Sequence, residues 1–131
     1  MSGAQMKEIE ALISQWLQAV REQDLEGIRA GHDPDILMFD VPPPFLSRGL
    51  DAYMATWDMF YANAAKPVQF ELRDVAITAG EDVAFATALG RCCDTSGGKP
   101  AQLDFRLTMG FQRKSGQWRI VHEHHSLPAS N

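Results

Sequence analysis

The residues best suited to chemistry lie near the end of the chain, in the run His122-Glu123-His124-His125. Imidazole and carboxylate groups are the side chains that most often transfer protons near neutral pH. The surrounding segment, Leu103 to Pro128, alternates apolar and polar residues on either side of Lys114-Ser115-Gly116, which predicts two β-strands joined by a tight turn. A sheet can carry such groups only where a face meets water, a ligand or another subunit. We therefore expect this hairpin to hold the functional site.

The turn of this hairpin decides which residues share a face. A three-residue turn with Gly116 in the left-handed conformation is a common hairpin turn and is the prediction here. It places Glu123 and His125 on an apolar face with Met109, where burial would raise the pKa of the carboxylate and lower that of the imidazole. The other face would then carry Arg106, Trp118, His122 and His124, a predicted dimer surface with Trp118 as its anchor. A two-residue turn would exchange the faces and send His122 and His124 to the pocket.

The same run could also bind a metal ion. His122 and His124 point the same way on a strand, and Asp104 is a possible third ligand. A His-x-His pair is a weak signal by itself, and imidazoles that form hydrogen bonds within an interface are the alternative that we favour. We predict no metal and no cofactor, and we expect His32 to be a solvated loop residue.

Two helices and a strand are predicted to come first along the chain. Apolar residues at three- and four-residue spacing indicate a helix from about Ala4 to Glu22, and Asp24 is expected to cap a short helix, Leu25 to Ala30. A short strand, Ile36 to Val41, carries the acid Asp40 near its end. The three prolines that follow end this strand, because proline has no amide hydrogen, and their stiff loop would suit the rim of a cavity.

A second long helix and the rest of the sheet follow. The helix is predicted from Gly49-Leu50-Asp51, with Asp51 as its N-cap, to about Ala64. A strand over Gln69 to Thr78, with a bulge near Asp74-Val75, and a strand over Val83 to Asp94 precede the hairpin. This order predicts an α+β domain with helices on one face of a curved antiparallel sheet and a pocket between the two layers. A second copy of the chain could cover the opposite face.

Length and composition limit the partners of the chain. Its 131 residues suffice for a single domain, 1–131, with its own core. A formal net charge of −5 disfavours nucleic acid, because phosphate binding needs a basic face. No apolar run approaches the roughly 20 residues needed to cross a bilayer. The N-terminus lacks the features of a secretion signal, so we expect no membrane contact and a cytoplasmic location. The adjacent Cys92 and Cys93 are expected to be free thiols.

Several stretches together resemble a known superfamily. They are Trp16 in the first helix, Phe39-Asp40 at a strand end, Gly49-Leu50-Asp51 at a helix start, and the run from Gly116 to Ser126. In these features the chain resembles nuclear-transport-factor-2-like proteins, in the branch of ketosteroid isomerase and the SnoaL-like polyketide cyclases. It also resembles the hub domain of calcium/calmodulin-dependent kinase II. The resemblance implies a cone-shaped fold with three helices, a pocket between sheet and helices, and a homodimer formed through the outer sheet face.

The resemblance also implies roles for single residues. Ketosteroid isomerase has its general base after the first strand, where Asp40 falls in this sequence. Its oxyanion-stabilising tyrosine corresponds to Trp16, whose indole can donate a hydrogen bond but cannot exchange a proton at neutral pH. The second oxyanion donor of that enzyme has no clear match in this sequence.

Two functions remain open at this point. The first is a cofactor-free isomerase, cyclase or dehydratase that binds a small, largely apolar carbonyl compound. Asp40 or His125 would remove a proton next to the carbonyl, and Tyr53 or Trp16 would donate to the enolate oxygen. The pocket would be lined by Trp16, Phe39, Tyr53, Trp57, Met109 and Glu123. The second is a non-catalytic domain for ligand binding, dimerisation or assembly.

Overall fold

A computed structural model describes residues 3–64, 66–94, 99 and 101–129 of the chain. Three helices pack against one face of a six-stranded sheet, which is the predicted α+β class. The elements are α1 (Gly3–Glu22), α2 (Leu25–Ala30), β1 (His32–Phe39), β2 (Ser47–Arg48), α3 (Leu50–Asn63), β3 (Phe70–Ala79), β4 (Val83–Asp94), β5 (Ala101–Lys114) and β6 (Gln117–Ser126). None of the helices in these ranges combines the length and the apolar character needed to span a membrane.

The sheet brings the two ends of the chain together. Its strand order is β2-β1-β6-β5-β4-β3, and all neighbours are antiparallel except β1 and β6. The parallel β1–β6 pairing sets Phe39 beside His124 and Met38 beside Glu123. The pairing therefore sets two strands from opposite ends of the chain side by side.

The hairpin turn differs from the prediction. Lys114 pairs with Gln117, and only Ser115 (φ 51°) and Gly116 (φ 79°) lie between them, so the predicted three-residue turn is wrong. Two consecutive positive φ angles are typical of a type I′ turn, whose twist matches that of the strands. A two-residue turn was expected to direct His122 and His124 to the face of the sheet that meets the helices, yet both lie on the opposite, outer face.

A bulge in β6 explains this outcome. Phe111 pairs with Ile120 but Gly110 pairs with His122, so Val121 is an extra residue on β6. Because side chains alternate along a strand, one extra residue exchanges the faces of everything beyond it. The bulge thus restores Glu123 and His125 to the face that meets the helices, as predicted.

The residues of β6 between the turn and the bulge pair with β5 in the register that the two-residue turn sets. Trp118 is only 7% exposed and belongs to the core with Ile120, so the structure corrects its predicted place on the outer face. A residue buried in the core of its own subunit cannot anchor a dimer formed through the opposite face of the sheet.

The helical layer follows the predicted pattern with one change. Ile9, Ile13 and Trp16 of α1 are buried in the core, and the side chain of Asp24 accepts a hydrogen bond from the amide of Gly27 at 3.0 Å, as expected of an N-cap. The N-cap of α3 is Gly49 (φ 92°) rather than Asp51, and no side chain caps this helix.

Two details of the strands complete the comparison. The predicted bulge in β3 is confirmed by a register shift at Asp74, whose φ is 56°. Strand β1 begins at His32, four residues before the predicted start, and continues through Pro34. His32 is 2% exposed, so its prediction as a solvated loop residue was wrong.

Candidate active site

A cavity of about 460 Å³ opens between α3 and the sheet, beyond the C-terminal end of β1. Its wall is mainly apolar, and Pro42 and Pro43 form part of its rim, as the sequence predicted. The aromatic rings in the wall are Trp57, Phe60, Phe70 and Phe105. The polar residues in the wall are Asp40, Thr56, Asn63 and His125. Thr56 and Asn63 donate to carbonyls of their own helix, at 2.7 Å and 3.0 Å. Size and lining suit a small organic molecule that is largely apolar.

Asp40 and His125 face each other at the wall of this cavity. His125 lies near the end of β6, and Asp40 follows directly after β1, the parallel neighbour of β6. Their side chains are 12% and 24% exposed, and His125 Nδ1 lies 3.6 Å from Asp40 Oδ1. The imidazole also stacks on Phe105, with 5.7 Å between ring centroids. Ring stacking and strand position together fix the orientation of the imidazole.

A third ionisable group, Glu123, lies behind His125 and is completely buried. His125 Nε2 lies 3.1 Å from Glu123 Oε1. The other oxygen, Oε2, accepts a hydrogen bond from the Tyr53 hydroxyl at 2.7 Å and lies 2.5 Å from His32 Nε2. A buried carboxylate costs much free energy unless donors surround it, and Glu123 has three.

These contacts determine the proton affinities. Burial alone would raise the pKa of Glu123, but the charge of His32 and the hydrogen bonds from His125 and His32 outweigh it and bring the pKa to about 2. Burial would likewise lower the pKa of His125, but the hydrogen bond and the charge of Glu123, aided by Asp40, raise it. Both directions are opposite to those predicted from burial alone, because the two groups contact each other. Glu123 is therefore ionised at neutral pH.

Glu123 and His125 form a carboxylate–imidazole pair. Glu123 holds the Nε2 side of the ring, which leaves Nδ1 at the cavity wall near Asp40. A buried acceptor on one ring nitrogen fixes which nitrogen exchanges a proton with a bound molecule. Asp40 and His125 can thus act on one ligand as a base and an acid.

Sequence comparison assigns the family. Residues 9–130 match the SnoaL-like domain, which is nearly the whole chain. The chain belongs to the SnoaL-like family. The fold of this SnoaL-like chain is that of the wider NTF2-like group: an NTF2-like protein of unknown function from Pseudomonas putida KT2440 is 39% identical, with a TM-score of 0.87 over 98% of this chain and 89% of that one.

Two further solved structures share the fold at low identity. An uncharacterised protein with a cystatin-like fold from Caulobacter vibrioides is 22% identical, with a TM-score of 0.82 over 95% of this chain and 90% of that one. A ketosteroid isomerase-like protein from Erwinia carotovora atroseptica SCRI1043 is 16% identical, with a TM-score of 0.76 over 92% and 93% of the two chains. No curated protein matches the sequence.

Within the SnoaL-like chain, three predicted site residues line the cavity, namely Asp40, His125 and Trp57. Tyr53 does not: it is fully buried, and its hydroxyl donates to Glu123 while it accepts from the Trp16 indole at 3.1 Å. Burial, reinforced by the charge of Glu123, raises the pKa of Tyr53 well above its usual value. The prediction that Tyr53 and Trp16 donate to an enolate is therefore wrong. The Tyr53 hydroxyl stabilises the Glu123 carboxylate, and the Trp16 indole orients that hydroxyl.

The other predicted lining residues also lie elsewhere. Met109 is 1% exposed and packs in the core, and Glu123 is completely buried and does not line the cavity. Phe39 lies on the outer side of β1, where its ring packs against the rings of His122 and His124 at 5.0 Å and 5.3 Å. Strand alternation explains Phe39, because Met38 takes the inward position.

The outer face carries the remaining residues of the predicted dimer surface. His122 Nδ1 contacts the Leu37 carbonyl at 2.6 Å, and Arg106 donates to Ser126 at 3.0 Å. Asp104, the possible third metal ligand, pairs instead with Arg91 at 2.6 Å. In the part of the chain that the structure describes, no three His, Cys, Asp or Glu side chains are grouped so that they could hold a metal ion.

Sequence reasoning missed His32, the partner of Glu123. Its neighbours Gly31, Asp33 and Pro34 suggest a loop, and nothing local indicates a contact with a residue 91 positions away. The one usable signal was a carboxylate predicted on an apolar face, since a buried charge requires a partner.

Proposed function

We propose that this SnoaL-like chain is a cofactor-free acid/base enzyme that moves a proton on a carbon next to the carbonyl of a small, largely apolar compound. One observation carries the proposal. His125 presents Nδ1 at the wall of an apolar cavity beside Asp40, while its Nε2 is held by the buried, ionised Glu123. A purely structural ion pair would not need a cavity at its exposed side.

The roles follow from the surroundings of each group. Contact with Glu123 raises the pKa of His125 and so favours its protonated form, and His125 acts as the general acid that donates from Nδ1 to the carbonyl oxygen. Asp40, the more exposed carboxylate, accepts the proton that leaves the adjacent carbon. In an isomerisation, Asp40 returns that proton to another carbon while the enol oxygen gives its proton back to His125, which restores the carbonyl. In a dehydration, Asp40 instead passes the proton to the leaving β-hydroxyl, which departs as water, and the enol proton again returns to His125.

The cavity wall limits the charge of the substrate. Among its described lining residues there is no Lys or Arg, and the charged groups are Asp40 and His125 themselves. An anionic compound would meet the Asp40 carboxylate, and the imidazolium of His125 is already flanked by Glu123 and Asp40. We therefore expect a neutral ketone, enone or lactone. The fold of the ketosteroid isomerase-like protein from Erwinia is compatible with this chemistry.

Exchange of α-protons tests the proposal without knowledge of the natural substrate. A panel of small cyclic ketones and enones is first screened for binding by thermal shift, and the compounds that bind are followed by NMR in D₂O for loss of the α-proton signal. We expect catalysed exchange that falls about 10²- to 10⁴-fold in Asp40→Asn and in His125→Gln. Asp35→Asn, which changes an exposed carboxylate on strand β1, is the control and should exchange at the wild-type rate.

Two results would contradict the enzyme proposal. Binding of compounds without any exchange above background would favour the non-catalytic ligand-binding function. Exchange that is equal in wild type and both variants would show that other groups do the chemistry.

We also propose that a second copy covers the outer sheet face. Val83 and Phe85 are 63% and 49% exposed, although their neighbours Ala84 and Ala86 are in the core. Apolar side chains of this size on one sheet face are typical of an interface. Sedimentation should show a dimer in the wild type and a monomer in Phe85→Asp, and a monomeric wild type at micromolar concentration would refute the proposal.

A further inference from the structure

His32 contacts Glu123 on the side opposite His125, the proposed general acid. Its ring is buried, with Nε2 at 2.5 Å from Glu123 Oε2 and Nδ1 at 2.7 Å from the Ile28 carbonyl. It also packs on the Tyr53 ring, with 4.4 Å between centroids. The cavity is not within its reach, because neither His32 nor Glu123 lines the wall.

Hydrogen-bond chemistry fixes the charge of this ring. A carbonyl oxygen has no hydrogen to donate, so Nδ1 of His32 must carry one. The hydroxyl of Tyr53 accepts from the Trp16 indole and so directs its own hydrogen to Glu123 Oε2, which makes this oxygen an acceptor. The hydrogen between Oε2 and His32 therefore belongs to Nε2. A ring that donates from both nitrogens is an imidazolium, and His32 is therefore a buried positive charge with Glu123 as its counter-ion.

Glu123 consequently stands between two imidazoles, one buried and one at the cavity. Each of its oxygens contacts one of them, Oε2 with His32 and Oε1 with His125. If His32 were neutral, the full negative charge of Glu123 would act on His125 alone. His125 would then hold its proton more tightly.

We propose that His32 is a positioning residue, a fixed positive charge that offsets Glu123 and thereby sets how readily His125 releases its proton. This inference rests on the proposed function for its catalytic meaning, although the electrostatic coupling itself is independent of any substrate. Ionisable groups that face the His125–Glu123 pair are Asp40 after β1, His32 in β1 and Tyr53 in α3. Strand β5 contributes apolar partners, Leu107 and Met109.

The charge of His32 can be measured in the unaltered protein. A long-range ¹H–¹⁵N NMR spectrum separates the doubly protonated ring from both neutral tautomers. We expect both nitrogens of His32 to be protonated at pH 7. An unprotonated Nε2 would overturn the proposal.

His32→Gln tests the coupling, because glutamine can still donate to Glu123 but carries no charge. The NMR titration of His125 in this variant should move upward by about one pH unit relative to wild type. The acid limb of the pH profile for α-proton exchange should move in the same direction. His122→Gln, which changes a histidine on the outer face, serves as the control and should leave the His125 titration in place.

The outcomes separate this inference from the proposed function. A shifted His125 titration in a protein without exchange activity would support the coupling and refute the enzyme. An unshifted titration would refute the coupling even if the enzyme is active. Should His32→Gln fail to fold, Tyr53→Phe removes an uncharged donor from the same Glu123 oxygen, and it should shift the titration upward by less. A downward shift or no shift in that variant would overturn the proposal.

Discussion

The two carboxylates next to His125, Glu123 and Asp40, differ in burial and in their hydrogen-bond partners. Glu123 is completely buried, contacts three donors and has a pKa brought to about 2. Asp40 is 24% exposed at the side chain and lies 3.6 Å from His125, too far for a hydrogen bond. Asp40 does accept a hydrogen bond from the amide of Val41 at 2.8 Å.

The difference shows how one imidazole can be both held and available. The buried carboxylate holds one ring nitrogen and does not line the cavity, whereas the partly exposed carboxylate lies at the cavity wall near the other nitrogen. A site with two buried carboxylates would be rigid but closed. A site with two exposed ones would leave the ring free to rotate. Stability should therefore depend on Glu123, and reactivity on Asp40.

Replacement of Glu123 should give the largest effect on stability. Glu123→Gln leaves His32 as a buried charge without its counter-ion, which we expect to lower the free energy of unfolding by about 3–5 kcal/mol. Asp40→Asn, the matched change at the exposed carboxylate, should lower it by less than about 1 kcal/mol. Urea unfolding at pH 7 measures both. Similar losses in the two variants would contradict the division of roles between the carboxylates.

Acid should separate the wild type from Glu123→Gln. The pKa of Glu123 is lowered from 4.5 to about 2 in the folded chain. Its contribution to stability is present above pH 4.5 and is lost as the pH falls toward 2, a change on the order of 3 kcal/mol. Asp33 and Asp104, whose pKa values are also lowered, are common to both proteins and cancel in the difference. A wild-type curve parallel to that of the variant over this range would disprove the assignment.

The smallest effect is expected on the alkaline side. Because the pKa of His125 is raised in the folded chain, its contribution is present below the ordinary value of 6.5 and is lost as the pH rises through the folded-state value. The free energy of unfolding of wild type should therefore decline from pH 6 upward more than that of His125→Asn. Equal slopes would show that Glu123 and Asp40 do not hold the imidazolium in solution.

Regular patterns made much of the fold predictable. The boundaries of α2 and β4, the cap at Asp24 and the bulge near Asp74 all follow from spacing and residue type over a few positions. The strand pattern for His125 and the family resemblance for Asp40 pointed to two residues that line the cavity, and their catalytic roles stay predictions. The predictions failed for Tyr53 and Trp16, because the Tyr53 hydroxyl donates to Glu123 and the Trp16 indole donates to Tyr53.

The hairpin shows why the right conclusion can follow from a wrong step. The sequence led to the correct faces for Glu123 and His125 through a three-residue turn that does not exist. The apolar residues of β5 that pair with Glu123 and His125 face the helices. The two-residue turn would have turned Glu123 and His125 to the opposite face, and the extra residue at the Val121 bulge reverses that change. Trp118 lies between the turn and the bulge, so its side chain keeps the orientation set by the two-residue turn and lies in the core.

By itself the sequence determined the helices, the strands and the residue types gathered at the end of β6, because each depends on interactions within a few residues. Only the tertiary structure decided that His32 would meet Glu123 and that Asp40 would meet His125. Both contacts require the parallel pairing of β1 with β6, strands separated by most of the chain. No local pattern encodes such a pairing, since it is selected by the free energy of the assembled sheet and core.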